Sequence, residues 1–97
     1  MFLTRWFRRR QPRPDLQFTF FTRQGCCLCD EAWALLVQAQ QRHGFRLESK
    51  NVDDSAEWVA DYGDCVPVVL VNGKVRFRGQ VNEVLLQRIL DAGERGA

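Results

Sequence analysis

The stretch that decides how this chain folds is Gly25-Cys26-Cys27-Leu28-Cys29-Asp30. It stands between an apolar β-type run that ends at Phe21 and a helical pattern that is established by Ala32. The thiols at positions 26 and 29 are therefore expected one helical turn apart, where a strand gives way to a helix. A C-x-x-C pair in that setting is typical of a redox-active dithiol.

The start of a helix favours a negatively charged sulfur, because its first N–H groups lack intrahelical partners and the macrodipole is positive there. Cysteines in such positions have pKa values of roughly 3.5 to 7.5 instead of about 8.5. The carboxylates of Asp30 and Glu31 oppose this effect on Cys26. We expect a moderately lowered pKa, a nucleophilic Cys26, a resolving Cys29 and a redox potential on the order of −200 to −270 mV.

The residues around the dithiol predict a strand followed by a helix. Residues 17–22 are rich in aromatic and β-branched side chains and nearly continuously apolar, which indicates a strand buried on both faces at the centre of a sheet. A helix is predicted from Cys27 to about Gln41, with Gly44 as its stop. The apolar residues at helical spacing are Leu28, Ala32, Leu35, Leu36 and Ala39.

A second strand and a short helix follow. Residues 45–52 alternate apolar and polar side chains, as in a strand with one solvated face or at a sheet edge. Asp53 or Asp54 is predicted to cap a helix that runs to about Asp61 and stops at Gly63. Its expected apolar contacts are Trp58, Val59 and Tyr62.

The last part of the chain predicts a hairpin and a final helix. Asn72-Gly73 is a strong hairpin signal between the strands predicted over 68–71 and 74–78. A helix follows Gly79, and the apolar stripe expected for it is Val81, Val84, Leu85, Ile89 and Leu90. The order is β-α-β-α-β-β-α, which predicts an α/β fold with a four-stranded mixed sheet and flanking helices.

Length and composition fit one globular domain. The chain has 97 residues, of which 45% are hydrophobic and 27% charged, and no apolar run approaches the ~20 residues of a membrane span. Three of the four cysteines fall within residues 26–29. They therefore cannot cross-link distant elements, as the disulfides of a small secreted protein do. We expect no secretory signal and a reducing, cytoplasmic setting.

The positive charge is concentrated at the N-terminus. Residues 1–13 hold five of the 14 Lys and Arg residues and no acid, which leaves nine against 12 acids and a net charge of −3 for the remainder. We therefore divide the chain into a basic arm, residues 1–15, and a domain, residues 16–97. Membrane-surface contact through residues 1–13 is a weakly supported alternative to a solvated arm. We expect a monomer and no nucleic-acid partner.

Over residues ~16 to 92 the chain resembles glutaredoxins of the thioredoxin fold. Their Thr-Lys-x-x-Cys-Pro-Tyr-Cys motif is matched by Thr22-Arg23-Gln24-Gly25-Cys26-Cys27-Leu28-Cys29. Their Thr-Val-Pro, apolar strand and Asn-Gly turn are matched by Cys65-Val66-Pro67-Val68-Val69-Leu70-Val71-Asn72-Gly73. The run from Gly25 to Ala32 is also similar to small bacterial glutaredoxin-like proteins. The resemblance implies a thioredoxin-like fold and thiol–disulfide oxidoreductase activity.

The resemblance also implies substrate-binding residues. In the family the Val-Pro peptide is cis and faces the dithiol, so Val66 and Pro67 would present a short backbone edge to the substrate. Arg23 would face the glycyl carboxylate of glutathione. Glutaredoxins carry Gly-Gly and then Asp after the hairpin, whereas this chain has Gly79 alone and no Asp. Protein disulfides and glutathione conjugates both stay open as substrates, with glutathione as a co-substrate and no cofactor expected.

The two other cysteines have alternative interpretations. Cys27 is expected to be exposed beside the nucleophile, as a competing thiol or a tolerated loop residue. Cys65 is expected close to Cys26, with either a redox role or a packing role. The four cysteines together could form a metal site, which stays open as an alternative. A second alternative is an iron–sulfur cluster that the C-x-x-C pairs of two chains share. A thioredoxin-fold interaction domain without redox chemistry is a third alternative.

Overall fold

Four strands form one mixed sheet: β1 (Gln17–Thr22), β2 (Arg46–Asn51), β3 (Val68–Val71) and β4 (Lys74–Arg78). Three helices complete the fold: α1 (Cys27–His43), α2 (Ala56–Tyr62) and α3 (Glu83–Gly96). The structure is a computed structural model that describes residues 15–96, with side chains described for residues 15–91. The predicted order of elements is confirmed. The predicted membrane contact of the arm falls on residues 1–13, which lie outside the described residues.

The first strand lies in the middle of the sheet, whose order is β2, β1, β3, β4. It pairs in parallel with β2 and antiparallel with β3. Phe18 and Phe20 point to one face of the sheet and Phe21 to the other, and all three are buried. The predicted central position of β1 is confirmed, and β2 takes the edge position, one of the two alternatives for it.

Helices cover both faces of the sheet. On the face of Phe18 and Phe20, α1 and α3 supply the larger core. On the opposite face, Phe21 packs with Val52 and Val68, and the rings of Trp58 and Tyr62 from α2 lie 5.1 and 4.8 Å from the Phe21 ring. The end of β1 is therefore held from both sides. In the described part of the chain, no helix is long and apolar enough to cross a bilayer.

The first helix buries a different set of residues from the predicted one. It runs two residues past the predicted end, to His43, and Gly44 stops it in the left-handed region at φ 69°. Leu28, one of the apolar residues at helical spacing, is not part of the buried stripe, since it is 48% exposed. Because α1 starts directly after Cys26, its buried stripe begins at Cys29.

The cap predicted for α2 is also wrong. Asp53 and Asp54 lie in a 3-10 turn over Val52–Asp54, and the N-cap of α2 is Ser55. The Ser55 hydroxyl accepts a hydrogen bond from the Trp58 N–H at 3.4 Å. Val59, expected among the packed residues, is exposed. The additional turn shifts the helix start and rotates Val59 towards solvent.

The stripe predicted for the last helix is partly wrong. Asn82 caps α3 by accepting from the Leu85 N–H at 3.0 Å. This cap leaves Val81 buried but outside the helix, and it turns Leu86 to the core. Val84 and Leu85, both predicted to be buried, are 62% and 46% exposed.

Adjacent leucines of α3 should therefore differ sharply in their contribution to stability. Leu86→Ala should lower the free energy of unfolding by about 2 to 5 kcal/mol, because it leaves a cavity in the core. Leu85→Ala, the matched control, should cost less than about 1 kcal/mol. Urea denaturation of both variants measures the difference. Equal losses would contradict the burial described for this helix.

Candidate active site

The end of β1 delivers the two motif cysteines to the start of α1. Gly25 turns the chain with φ 81°, a left-handed conformation that glycine adopts without strain. Cys26 follows in an extended conformation and is the N-cap of α1. The strand, the glycine turn and the cap together fix where the first sulfur lies.

Cys26 and Cys29 are joined as a disulfide, with their Cα atoms 5.2 Å apart. The Cys26 sulfur also accepts a hydrogen bond from the Cys29 backbone N–H at 3.1 Å. That N–H is one of the donors a helix start leaves without an intrahelical partner. The sulfur therefore takes the place that a side-chain oxygen holds at most helix N-caps.

The two sulfurs differ in their access to solvent. Cys29 belongs to the core and is 1% exposed, whereas Cys26 is only partly buried at its edge. A reacting partner therefore reaches Cys26 first. Cys27 carries a free thiol and is exposed, as expected.

The Val66-Pro67 peptide is cis, as the resemblance implies. Val66 packs against the core cluster that Cys26 also contacts. The Pro67 carbonyl accepts a hydrogen bond from the Gly79 N–H at 2.8 Å. The structure thus joins Pro67 and Gly79, and it pairs the adjacent Val68 with Phe21 near the end of β1.

Arg23 is held by residues that the sequence did not connect to it. Its Nη2 and Nε donate to the two carboxylate oxygens of Asp53 at 2.8 and 3.2 Å, and its Nη1 donates to the Gly63 carbonyl at 3.1 Å. The hydrogen bond and the charge of Asp53 raise the pKa of Arg23. Binding of a substrate carboxylate by Arg23 stays a prediction, and it requires competition with Asp53.

Cys65 has a cationic neighbour that sequence reasoning missed. The Arg78 Nη1 donates to the Cys65 sulfur at 3.4 Å, and the same guanidinium lies 5.9 Å from the centre of the Tyr62 ring. Cys65 packs on the core cluster of the α2 face. The hairpin register pairs Arg78 with Val68, three residues after Cys65. A register shift between Val69 and Leu70 makes this pairing differ from the one that counting back from the Asn72-Gly73 turn gives, Val68 with Phe77, so that count would have missed the contact.

Three cavities flank α3 in the described part of the chain. The smallest, about 120 Å³, is lined by Ala39 and Arg42 of α1 and by Leu86 and Leu90 of α3, and the other two are larger. A cavity of about 390 Å³ is lined by Leu28, Glu31 and Ala32 of α1 and by Val81, Glu83 and Val84. The largest cavity, about 650 Å³, lies at the hairpin turn and the start of β1, among Leu16, Asn72, Lys74, Arg76 and Arg88. The 390 Å³ cavity is the one related to the motif, because Leu28, between Cys26 and Cys29 in the sequence, lines it, although neither cysteine does. The sequence predicts Val84 in the apolar stripe of the last helix and assigns neither Val84 nor Glu83 to the functional site.

Comparison with protein-family models gives a match over residues 17–91 to the glutaredoxin-like domain (DUF836). The chain belongs to this glutaredoxin-like family. The match covers the whole sheet and the described side chains of α3.

Solved structures agree with this assignment. Protein Ne2328 from Nitrosomonas europaea is 27% identical, with a TM-score of 0.70 over 81% of this chain and 94% of that chain. Target protein XcR50 from X. campestris is 32% identical, with a TM-score of 0.64 over 77% and 96%. Oxidised thioredoxin from Plasmodium falciparum shares the fold at 14% identity, with a TM-score of 0.58 over 92% and 89%. No curated protein sequence matches the chain significantly.

These findings confirm the glutaredoxin-like resemblance and the thioredoxin-like fold class. A glutaredoxin-like fold that holds two cysteines in a disulfide indicates a redox function. Within residues 15–91, no three His, Cys, Asp or Glu side chains form a group that could hold a metal ion.

Alkylation of the oxidised glutaredoxin-like protein should follow the exposure of its sulfurs. Iodoacetamide should label Cys27 rapidly and Cys65 more slowly, and it should leave Cys26 and Cys29 unlabelled. Peptide mass spectrometry locates the labels. In denaturant without a reductant, Cys27 and Cys65 should react equally fast, which provides the control. Labelling of Cys26 or Cys29 in the native oxidised sample would contradict the disulfide assignment.

Proposed function

We propose that this protein is a thiol–disulfide oxidoreductase that reduces mixed disulfides of proteins or of glutathione. The observation that carries the proposal is the Cys26 sulfur at the helix start, accepting from the Cys29 N–H and more exposed than Cys29. In the reduced protein the same N–H would stabilise a Cys26 thiolate by a charge-assisted hydrogen bond. A thiolate is the form of cysteine that attacks disulfides.

The reaction consists of two exchanges. The Cys26 thiolate attacks one sulfur of the substrate disulfide, a Cys26–substrate disulfide forms, and the other substrate sulfur leaves as a thiolate that takes up a proton. Cys29 then loses its proton and attacks the Cys26 sulfur, which forms the Cys26–Cys29 disulfide and releases the second substrate thiol. The substrate gains two electrons and the protein dithiol loses two, so an external thiol must reduce the protein again.

The loop of Val66 and Pro67 is proposed to align the substrate. Val66 packs on the same core cluster as Cys26, so its backbone is suitably placed to pair with an extended substrate segment. The hydrogen bond from the Gly79 N–H to the Pro67 carbonyl ties this loop to the end of β4. Gly79 would therefore hold the loop in position, and Arg23 would contribute only with substrates that displace Asp53.

Cysteine variants should separate the two exchanges. Cys26→Ser should lower disulfide reductase turnover to roughly 1% of wild type or less, because the nucleophile is lost. Cys29→Ser should accumulate the mixed disulfide and keep activity only on glutathionylated substrates, where external glutathione can resolve it. Cys27→Ser, which removes the neighbouring thiol outside the disulfide, is the matched control and should keep most of the activity. Full activity in Cys26→Ser would refute the proposal.

The pH dependence of Cys26 alkylation should reveal the stabilised thiolate. In a Cys27→Ser/Cys65→Ser background, the rate should rise with pH and level off above a pKa below about 8.5, since only the thiolate reacts. A titration of the same sample against a thiol redox buffer should give a potential on the order of −200 to −270 mV. A Cys26 that stays unreactive near neutral pH would instead favour an interaction domain without redox chemistry.

A further inference from the structure

The cavity that Leu28 lines, between the start of α1 and the start of α3, has apolar walls and opens to solvent. Leu28, which lies between the two active-site cysteines, and Val84, in the first turn of α3, both line it. Each side chain is about half exposed or more, although neither fills a structural role in the core. Exposed apolar side chains that converge beside a reactive group mark a place where a partner binds.

The charge of the cavity is negative. Glu31 and Glu83 are exposed and line it from α1 and α3, and none of its described lining residues is Lys or Arg. Of the two arginines nearest the motif and the cis-proline loop in the sequence, Arg23 forms an ion pair with Asp53, and Arg78 donates a hydrogen bond to the Cys65 sulfur. Glutathione carries two carboxylates and a net negative charge, so this cavity repels it. A positively charged segment is attracted.

Building on the proposed thiol–disulfide exchange, we infer that the substrate is a protein disulfide whose cysteine is flanked by apolar and positively charged residues. The cavity binds those flanking residues while the substrate sulfur meets Cys26. The apolar side chain covers Leu28 and Val84, and the positive charge lies between Glu31 and Glu83. Substrate choice is thereby set by peptide sequence instead of by the glutathione moiety.

Synthetic disulfides that differ only in charge test this inference. The probes are the disulfide-linked dimers of Lys-Leu-Cys-Leu-Lys and of Glu-Leu-Cys-Leu-Glu, with uncharged 2-hydroxyethyl disulfide as reference. Reduced protein is mixed with excess probe, and samples are quenched with acid and alkylated. Mass spectrometry then gives the fraction of oxidised protein at each time. At low salt the Lys peptide should oxidise the dithiol about tenfold faster than the Glu peptide. The ratio should fall towards one as the salt concentration approaches about 1 M.

Variants assign the preference to the cavity. Glu31→Gln/Glu83→Gln should reduce the Lys-to-Glu rate ratio to about two or less. Glu57→Gln on α2, exposed outside the cavity, is the matched control and should leave the ratio unchanged. Val84→Ser should slow the Leu-flanked Lys peptide about threefold relative to a Ser-flanked version. Because rates with two probes are compared on one protein, changes in the reactivity of Cys26 itself cancel.

The outcomes separate this inference from the proposed function. A dithiol that 2-hydroxyethyl disulfide does not oxidise refutes the exchange chemistry. A reactive dithiol with no preference for the Lys peptide, or a preference that the double Gln variant keeps, overturns the cavity assignment alone. Binding is also measured without chemistry, by NMR of the oxidised protein with Lys-Leu-Ser-Leu-Lys. Amide shifts should occur at residues 28–35 and 80–84, and their absence would also overturn the inference.

Discussion

The hydrogen bond from the Cys29 N–H to the Cys26 sulfur is the contact on which the active site depends. It exists because α1 begins directly after Cys26, so a sulfur occupies the N-cap and meets a donor that has no other partner in the helix. The position of that helix start is fixed by β1, whose buried Phe18, Phe20 and Phe21 are held by helices on both faces of the sheet. The packing of the central strand therefore fixes the position of the helix start, and with it this capping hydrogen bond.

Burial gives the two sulfurs different tasks. Cys29 is part of the core, in line with Ala32 and Leu36 along the buried side of α1. Cys26, three residues earlier, stays at the edge of that core. Cys26 is therefore the more accessible of the two residues, and Cys29 is bonded to it from the core. The difference in burial arises from the positions of the two cysteines along α1, because position 29 faces the core and position 26 lies at its edge.

The charges around the dithiol are distributed unevenly. The guanidinium groups of Arg23 and Arg78 are engaged by Asp53 and Cys65, while Glu31 and other carboxylates stay open to solvent. The charge of Arg23 is paired with a carboxylate and attracts an anionic ligand weakly, because the ligand must replace Asp53, whereas Arg78 contacts a thiol and not a carboxylate. The guanidinium of Arg23, at the position of the glutaredoxin lysine, is therefore already bound by a residue of the chain itself.

The sequence by itself determined the order of the seven elements, the central place of β1 and the dithiol at the start of α1, because each has a local signal such as alternation, C-x-x-C or Asn72-Gly73. Only the tertiary structure decided which sides of the helices are buried. The capping residue fixes where each helix begins, and moving that start by one position rotates the side chains by about 100° around the helix axis. Leu28 and Val84 are exposed to solvent for this reason. The pairing of Arg23 with Asp53 joins residues 30 positions apart, which leaves no periodic pattern in the sequence to detect.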